Sequence, residues 1–186
     1  MNRQSRDTGL AAASPSGGTR FRASRVRLFL LLSGLTFAAT ATAQLPVIFL
    51  VRHAERAATS GRVPSDTGLS RVGETRAQHL AEELKDANIT AIYTTEYKRT
   101  KETAMPLTRL AGIRPEVVAA DDLRALTSKL KQASGNVLVV GHSNTLSQII
   151  NALGVGTRVA VSESDYDNLF VIVHEPEARL IHLHYR

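Results

Sequence analysis

The sequence predicts an α/β fold: a three-layer domain with a mostly parallel central sheet flanked by helices. The alternation of its segments carries this reading. From Leu45 onward, short runs of β-branched and apolar residues alternate with helix-period patterns, the order that builds a sheet through crossover connections. The chain also has no cysteine, so such a domain is held by its core alone. At 186 residues there is length for one well-buried domain and not for two.

Each element has its own signal. Residues 47–51 read as the first strand. Residues 70–86 read as an amphipathic helix capped by Ser70, with Val72, Ala77, Leu80, Ala81 and Leu84 on its buried side. "AIYTT" at 91–95 is a second strand, and 97–110 a second helix that ends near Gly112. Residues 115–118 make a short edge strand and 121–132 a third helix. "NVLVVGH" at 136–142 is the plainest buried strand, and 146–153 a helix stopped by Gly154. Two closing strands, 169–174 and 179–184, flank a turn at 175–177.

Ahead of this domain, residues 26–39 form an apolar run preceded by Arg20, Arg22 and Arg25, with Arg27 just inside its start. Small residues follow at Ala41 and Ala43. That pattern reads as a secretory signal peptide cut after Ala43, behind a Ser-, Gly- and Ala-rich stretch that reads as disordered. Residues 44–186 are then a periplasmic or secreted domain that meets the membrane only through its export signal. The alternative is a retained N-terminal anchor, and a true start near Val26 would shorten the basic region.

Charge follows the same division. Residues 1–43 carry six arginines against Asp7, whereas residues 44–186 carry 17 Lys and Arg against 16 Asp and Glu. The high pI therefore belongs to the leader. With no basic stripe and no interleaved aromatics, the domain is not read as a nucleic-acid binder.

In a parallel sheet, ligands bind beyond the carboxyl ends of the strands. Arg52 and His53 end the first strand, His142 ends the fourth, and the loop after the second leads to Arg99. Planar guanidinium groups suit the oxygens of a transferring phosphoryl group, and a neutral imidazole nitrogen can attack phosphorus. Arg99 has Lys98 and Lys101 beside it, which taken alone describes a solvated helix face. In the pocket-facing role that the motif resemblance below implies for them, Arg52 and Arg99 are expected to add little to stability. His174, His182 and His184 alternate near the C-terminus without a completing Cys or carboxylate, so no metal and no cofactor is assigned.

Four ordered motifs, "VRHAE" (51–55), "DTGLSRVGETRA" (66–77), "YTTEYKRTKETA" (93–104) and "VLVVGHSNT" (137–145), resemble the histidine phosphatase superfamily, also called phosphoglycerate-mutase-like. The resemblance implies that fold, and a small phosphorylated substrate. It makes His53 the nucleophile, Arg52 and Arg99 the phosphate clamps, and His142 the second pocket histidine that also contacts substrate. Ala54 stands where the family usually has glycine.

The general acid stays open. The family often places an acidic residue between the second arginine and the second histidine, where Asp121 and Asp122 lie. Glu55 is near the nucleophile, and "DDL" is also an ordinary helix cap. The short interval between Arg99 and His142 lacks the covering insertion of mutase-type members, so mutase activity is disfavoured. It matches small members such as the bacterial phosphohistidine phosphatases. The competing readings are a phosphate-binding module without turnover and a metal-dependent hydrolase using His53 and His142. "SESDYDNLF" at 162–170 either borders the pocket or only begins a strand. Oligomeric state and the physiological substrate are not legible.

Overall fold

The computed structural model describes residues 45–58, 66–174 and 176–186. The leader reading, residues 1–43, lies outside them, as does Glu175 of the last turn. In chain order the elements are β1 (Ile48–Arg52), α1 (Arg71–Leu84), β2 (Ile89–Thr94), α2 (Lys98–Ala111), β3 (Glu116–Val117), α3 (Leu123–Gln132), β4 (Asn136–Gly141), α4 (Ser143–Ala152), β5 (Asn168–His174) and β6 (Ala178–His184).

These strands form a six-stranded sheet in the order β3-β2-β4-β1-β5-β6. β3, β2, β4 and β1 are mutually parallel; β5 runs against β1, and β6 against β5. The sheet is therefore mixed but mostly parallel, as the sequence pattern predicts. Alternation along the strands divides the core into two faces. Ile48, Leu50, Val137, Val139, Phe170 and Ile172 pack with Leu126 and Leu130 of α3 and Leu146, Ile149 and Ile150 of α4. Val51, Leu138, Val140, Leu169 and Val171 pack on the other side with Leu80 and Leu84 of α1 and Ala104 and Leu107 of α2. Helix, sheet and helix give the three layers.

Two details differ from the sequence reading of α1 and α4. Val72 is 61 % exposed; the buried stripe runs Gly73, Ala77, Leu80, Ala81, Leu84, and Val72 falls just off it. Gly73 is required there, because a Cβ would lie 2.3 Å from the Glu55 backbone oxygen. Ser70 caps the helix as expected, accepting from the Gly73 N–H at 3.1 Å. Helix α4 begins at Ser143, three residues earlier than the apolar pattern indicates, with His142 in the N-cap position and its N–H donating to Thr145 Oγ1 at 3.1 Å. Polar "SNT" carries no helical hydrophobic signal, so the periodicity misses the first turn.

The topology gathers one edge of the sheet. Arg52 pairs with Gly141, and Thr94 with Val140, so β1, β2 and β4 end side by side. Because β5 is reversed, the residues that precede it, 162–167, come to that same edge, where Leu169 pairs with Val51.

Candidate active site

Beyond this edge lies a cavity of about 520 Å³ whose lining includes Arg52, His53, Arg99, His142, Asp121 and Asp122. The cavity thus collects every residue that the motifs single out except Glu55. Glu55 is held away by Arg76, whose Nε donates to both carboxylate oxygens at 2.8 and 2.9 Å.

His53 leaves β1 as its last hydrogen bond is made, the backbone N–H donating to Gly141 O at 3.0 Å. Its ring is 4 % exposed. Nδ1 lies 2.8 Å from the Ala54 carbonyl oxygen. A carbonyl can only accept, so the ring proton sits on Nδ1 and Nε2 keeps a free lone pair. Burial is the largest cause that lowers its pKa to about 3, with the Arg52, Arg99 and His142 neighbours adding to it. Ala54 fits without strain. The only non-glycine residue with positive φ among those described is Asn88, and the Ala54 N–H donates to Thr103 Oγ1 at 2.9 Å.

His142 adopts the other tautomer. Arg99 Nη2 can only donate, and it reaches His142 Nδ1 at 3.4 Å. The proton is then on Nε2 and is given to Thr95 Oγ1 at 3.1 Å. Thr95 passes its own hydroxyl proton to Thr100 Oγ1 at 3.0 Å, and Thr100 donates to the Tyr97 carbonyl at 2.8 Å. Burial first, then Arg99, lowers the His142 pKa to about 4. The two rings stand edge to face, 5.4 Å between centroids.

Both histidines are therefore neutral at pH 7. Their folded values lie below the ordinary one near 6.5, so the native state withholds protons that the unfolded chain accepts. The stability tied to them is complete above about pH 6.5 and is lost as pH falls through the folded values. We expect the thermal midpoint to fall as pH drops from 6.5 towards 4, and to fall less steeply when both histidines are asparagine. Equal slopes for the two proteins would contradict neutral burial.

The two arginines differ in support. Arg52 is 2 % exposed. Its Nη1 donates to Ser162 O at 2.9 Å and its Nη2 to Glu163 Oε2 at 2.8 Å, while Tyr166 lies under the guanidinium at 4.2 Å. Arg99 is half-buried and sits over the Tyr97 ring at 4.1 Å. Burial, then Arg56, lowers its pKa from the usual arginine range, which leaves it charged. Arg56 is a third cation on the cavity wall.

Threonines fix the geometry. Thr103 Oγ1 accepts from Ala54 and donates to Arg99 O at 2.7 Å, tying the exit of β1 to the turn that bears Arg99. The "DTGLS" segment docks on α2, with Asp66 accepting from the Lys98 N–H at 2.6 Å and Glu102 from the Leu69 N–H at 2.7 Å.

Of the carboxylates, Asp122 caps α3 by accepting from the Ala125 N–H at 2.9 Å, whereas Asp121 is exposed at the cavity wall. Arg56, Thr95, Ser143 and Glu163 also line the cavity; Thr95 and Ser143 lie within two of the motifs and Glu163 within "SESDYDNLF", whereas Arg56 lies just beyond "VRHAE". Among the described residues no group of three His, Cys, Asp or Glu side chains is placed to hold a metal ion. His182 instead stacks on Phe170 at 4.5 Å and meets Asn168 Oδ1 at 2.7 Å, and His184 Nδ1 lies 3.3 Å from Asp167.

A family model described as histidine phosphatase superfamily (branch 1) matches residues 48–127, which run from β1 into the first half of α3 and hold Arg52, His53 and Arg99. Solved structures extend the likeness across the domain. The protein histidine phosphatase SixA, complexed with tungstate, superposes with a TM-score of 0.61 at 15 % identity, over 74 % of this chain and 96 % of that one. The chain has the histidine phosphatase fold. A SixA chain from Agrobacterium tumefaciens aligns at 22 % identity and a TM-score of 0.57, covering 74 % of this chain and 97 % of that one. A mycobacterial glucosyl-3-phosphoglycerate phosphatase, in complex with VO3, aligns at 16 % identity and a TM-score of 0.60, covering 73 % and 97 %. No curated protein matches in sequence. Within this histidine phosphatase fold, His53 and Arg52 end β1, Arg99 opens α2, and His142 caps α4.

Proposed function

We propose that the protein is a metal-independent phosphatase that hydrolyses a phosphomonoester, or another phosphorylated group, through a phosphohistidine on His53. The observation that carries this reading is the His53 tautomer. With Nδ1–H spent on Ala54 O, the Nε2 lone pair is the free one, in a cavity walled by Arg52, Arg56 and Arg99. Its attack on phosphorus breaks the bond to the leaving oxygen, which takes up a proton and departs. Water then attacks the phosphorus, the N–P bond breaks, the electron pair returns to Nε2 and inorganic phosphate is released. Guanidinium groups supply the charge stabilisation that a metal would otherwise give.

Asp121 is our proposed proton donor to the leaving oxygen, since Asp122 and Glu55 are already engaged. Asp121→Asn should hurt alkyl phosphates, with their poor leaving groups, far more than aryl phosphates. Equal losses on both would remove it from that role.

The test of the whole reading is release of phosphate from an aryl phosphate, unaffected by a chelator. Phosphate binding without turnover would support a binding module instead, and loss of activity on chelation would support a metal hydrolase. We further propose that the domain works outside the cytoplasm after cleavage behind Ala43, on the strength of the arginine-flanked apolar run. N-terminal sequencing of exported material checks it, and full-length protein retained in the cytoplasm would contradict it.

A further inference from the structure

The exposed loop before β5 puts a carboxylate where the substrate's anion is expected. Glu163 Oε2 accepts from Arg52 Nη2 at 2.8 Å, and Glu163 Oε1 accepts from Ser143 Oγ, at the first residue of α4. The partners are very unequal in exposure, 2 % for Arg52 and 77 % for Glu163. The loop itself is anchored independently of that side chain. Arg52 Nη1 holds the Ser162 carbonyl, and Asp165 closes a turn by accepting from the Ser162 N–H at 3.1 Å. The Glu163 side chain can therefore swing into solvent while the backbone stays in place.

We propose that Glu163 is a resident anion in the phosphoryl seat: it neutralises Arg52 when the cavity is empty, yields to substrate, and returns to displace product phosphate. This rests on reading the cavity as a phosphoryl site. A competitor of this kind divides the affinity of every ligand of the seat by one factor, the reciprocal of the fraction of molecules whose Arg52 is free. A carboxylate that holds Arg52 most of the time would give a factor of about five to ten, the range an exposed partner on a buried guanidinium can reach. The gain from such a device is faster release of phosphate and weaker product inhibition.

Calorimetric titration of the full chain with inorganic phosphate and with formate, at pH 8, tests it against Glu163→Gln and Glu163→Ala. Displacement predicts that both variants bind both anions about five- to tenfold more tightly, with the same factor for each anion, and that phosphate inhibits their aryl-phosphate turnover more strongly. A gain that is much larger for dianionic phosphate than for formate would mean only that a nearby negative charge has gone, and would overturn the proposal. So would unchanged phosphate affinity, with or without a loss of turnover on alkyl phosphates. Failure of phosphate to bind any of the three proteins would overturn the phosphoryl-site reading itself, and this inference with it.

Discussion

The His53→Ala protein is expected to fold, to bind inorganic phosphate and to turn over no phosphomonoester. His53 Nε2 is the free lone pair held by a fixed tautomer, and His142 cannot substitute for it. The His142 Nε2 proton is committed to Thr95, and its Nδ1 accepts from Arg99. Removing a nucleophile that acts as a unit with its supporting groups costs on the order of ten-thousandfold or more in turnover. The variant gives up one hydrogen bond to the Ala54 carbonyl, worth about 1 kcal/mol, so a modest drop in thermal midpoint is expected. Steady-state assay and calorimetry on the same preparation check this. Turnover within tenfold of wild type would remove His53 from the chemistry.

Arg52→Ala and Arg99→Ala are each expected to lower turnover about a hundredfold or more, because each removes charge stabilisation from the transferring group. They should part company in stability. The sequence places both guanidinium groups at an open pocket and predicts little effect on folding from either. For Arg52 the geometry overrules that expectation. Its guanidinium is almost fully buried, bonds the Ser162 carbonyl and packs on Tyr166. Its loss removes that bond and the packing on Tyr166 and frees the loop before β5, costing about 1–3 kcal/mol. Arg99→Ala should cost less, since Arg99 is only half-buried. Thermal denaturation of the two variants decides it, and equal midpoints would contradict this account of Arg52.

Much of this arrangement is visible in the residues themselves. Strand-period runs at "PVIFLV" and "NVLVV" place His53 and His142 at one sheet edge because a parallel sheet aligns its carboxyl ends. Motif order then brings Arg99 to the same place. What periodicity cannot show is the contribution of polar residues whose partners are distant in sequence. Thr95, Thr100 and Thr103 look like surface threonines, yet they are buried and set the tautomer and the position of the charged groups. Glu163 lies 111 residues from Arg52, and only the reversal of β5 brings it to the cavity. The same reversal answers the open question over "SESDYDNLF". That stretch both borders the site, through Glu163 and Tyr166, and begins a strand. Among the acidic candidates, "DDL" conceals a division of labour: Asp122 is spent on the α3 N-terminus, and Asp121 is left facing the cavity.

A covalent bond between phosphorus and His53 Nε2 is the expected intermediate. It is tested most directly by quenching the protein in mid-turnover with an aryl phosphate, under alkaline conditions that preserve phosphohistidine, and mapping the modified peptide by mass spectrometry. An acid-labile phosphoryl group is expected on His53, absent from His53→Ala and still able to form, more slowly, in His142→Ala. A phosphoryl group on His142 in the His53→Ala protein would reverse the roles of the two rings. Rapid turnover with no phosphorylated histidine at any time point would rule out covalent catalysis by His53.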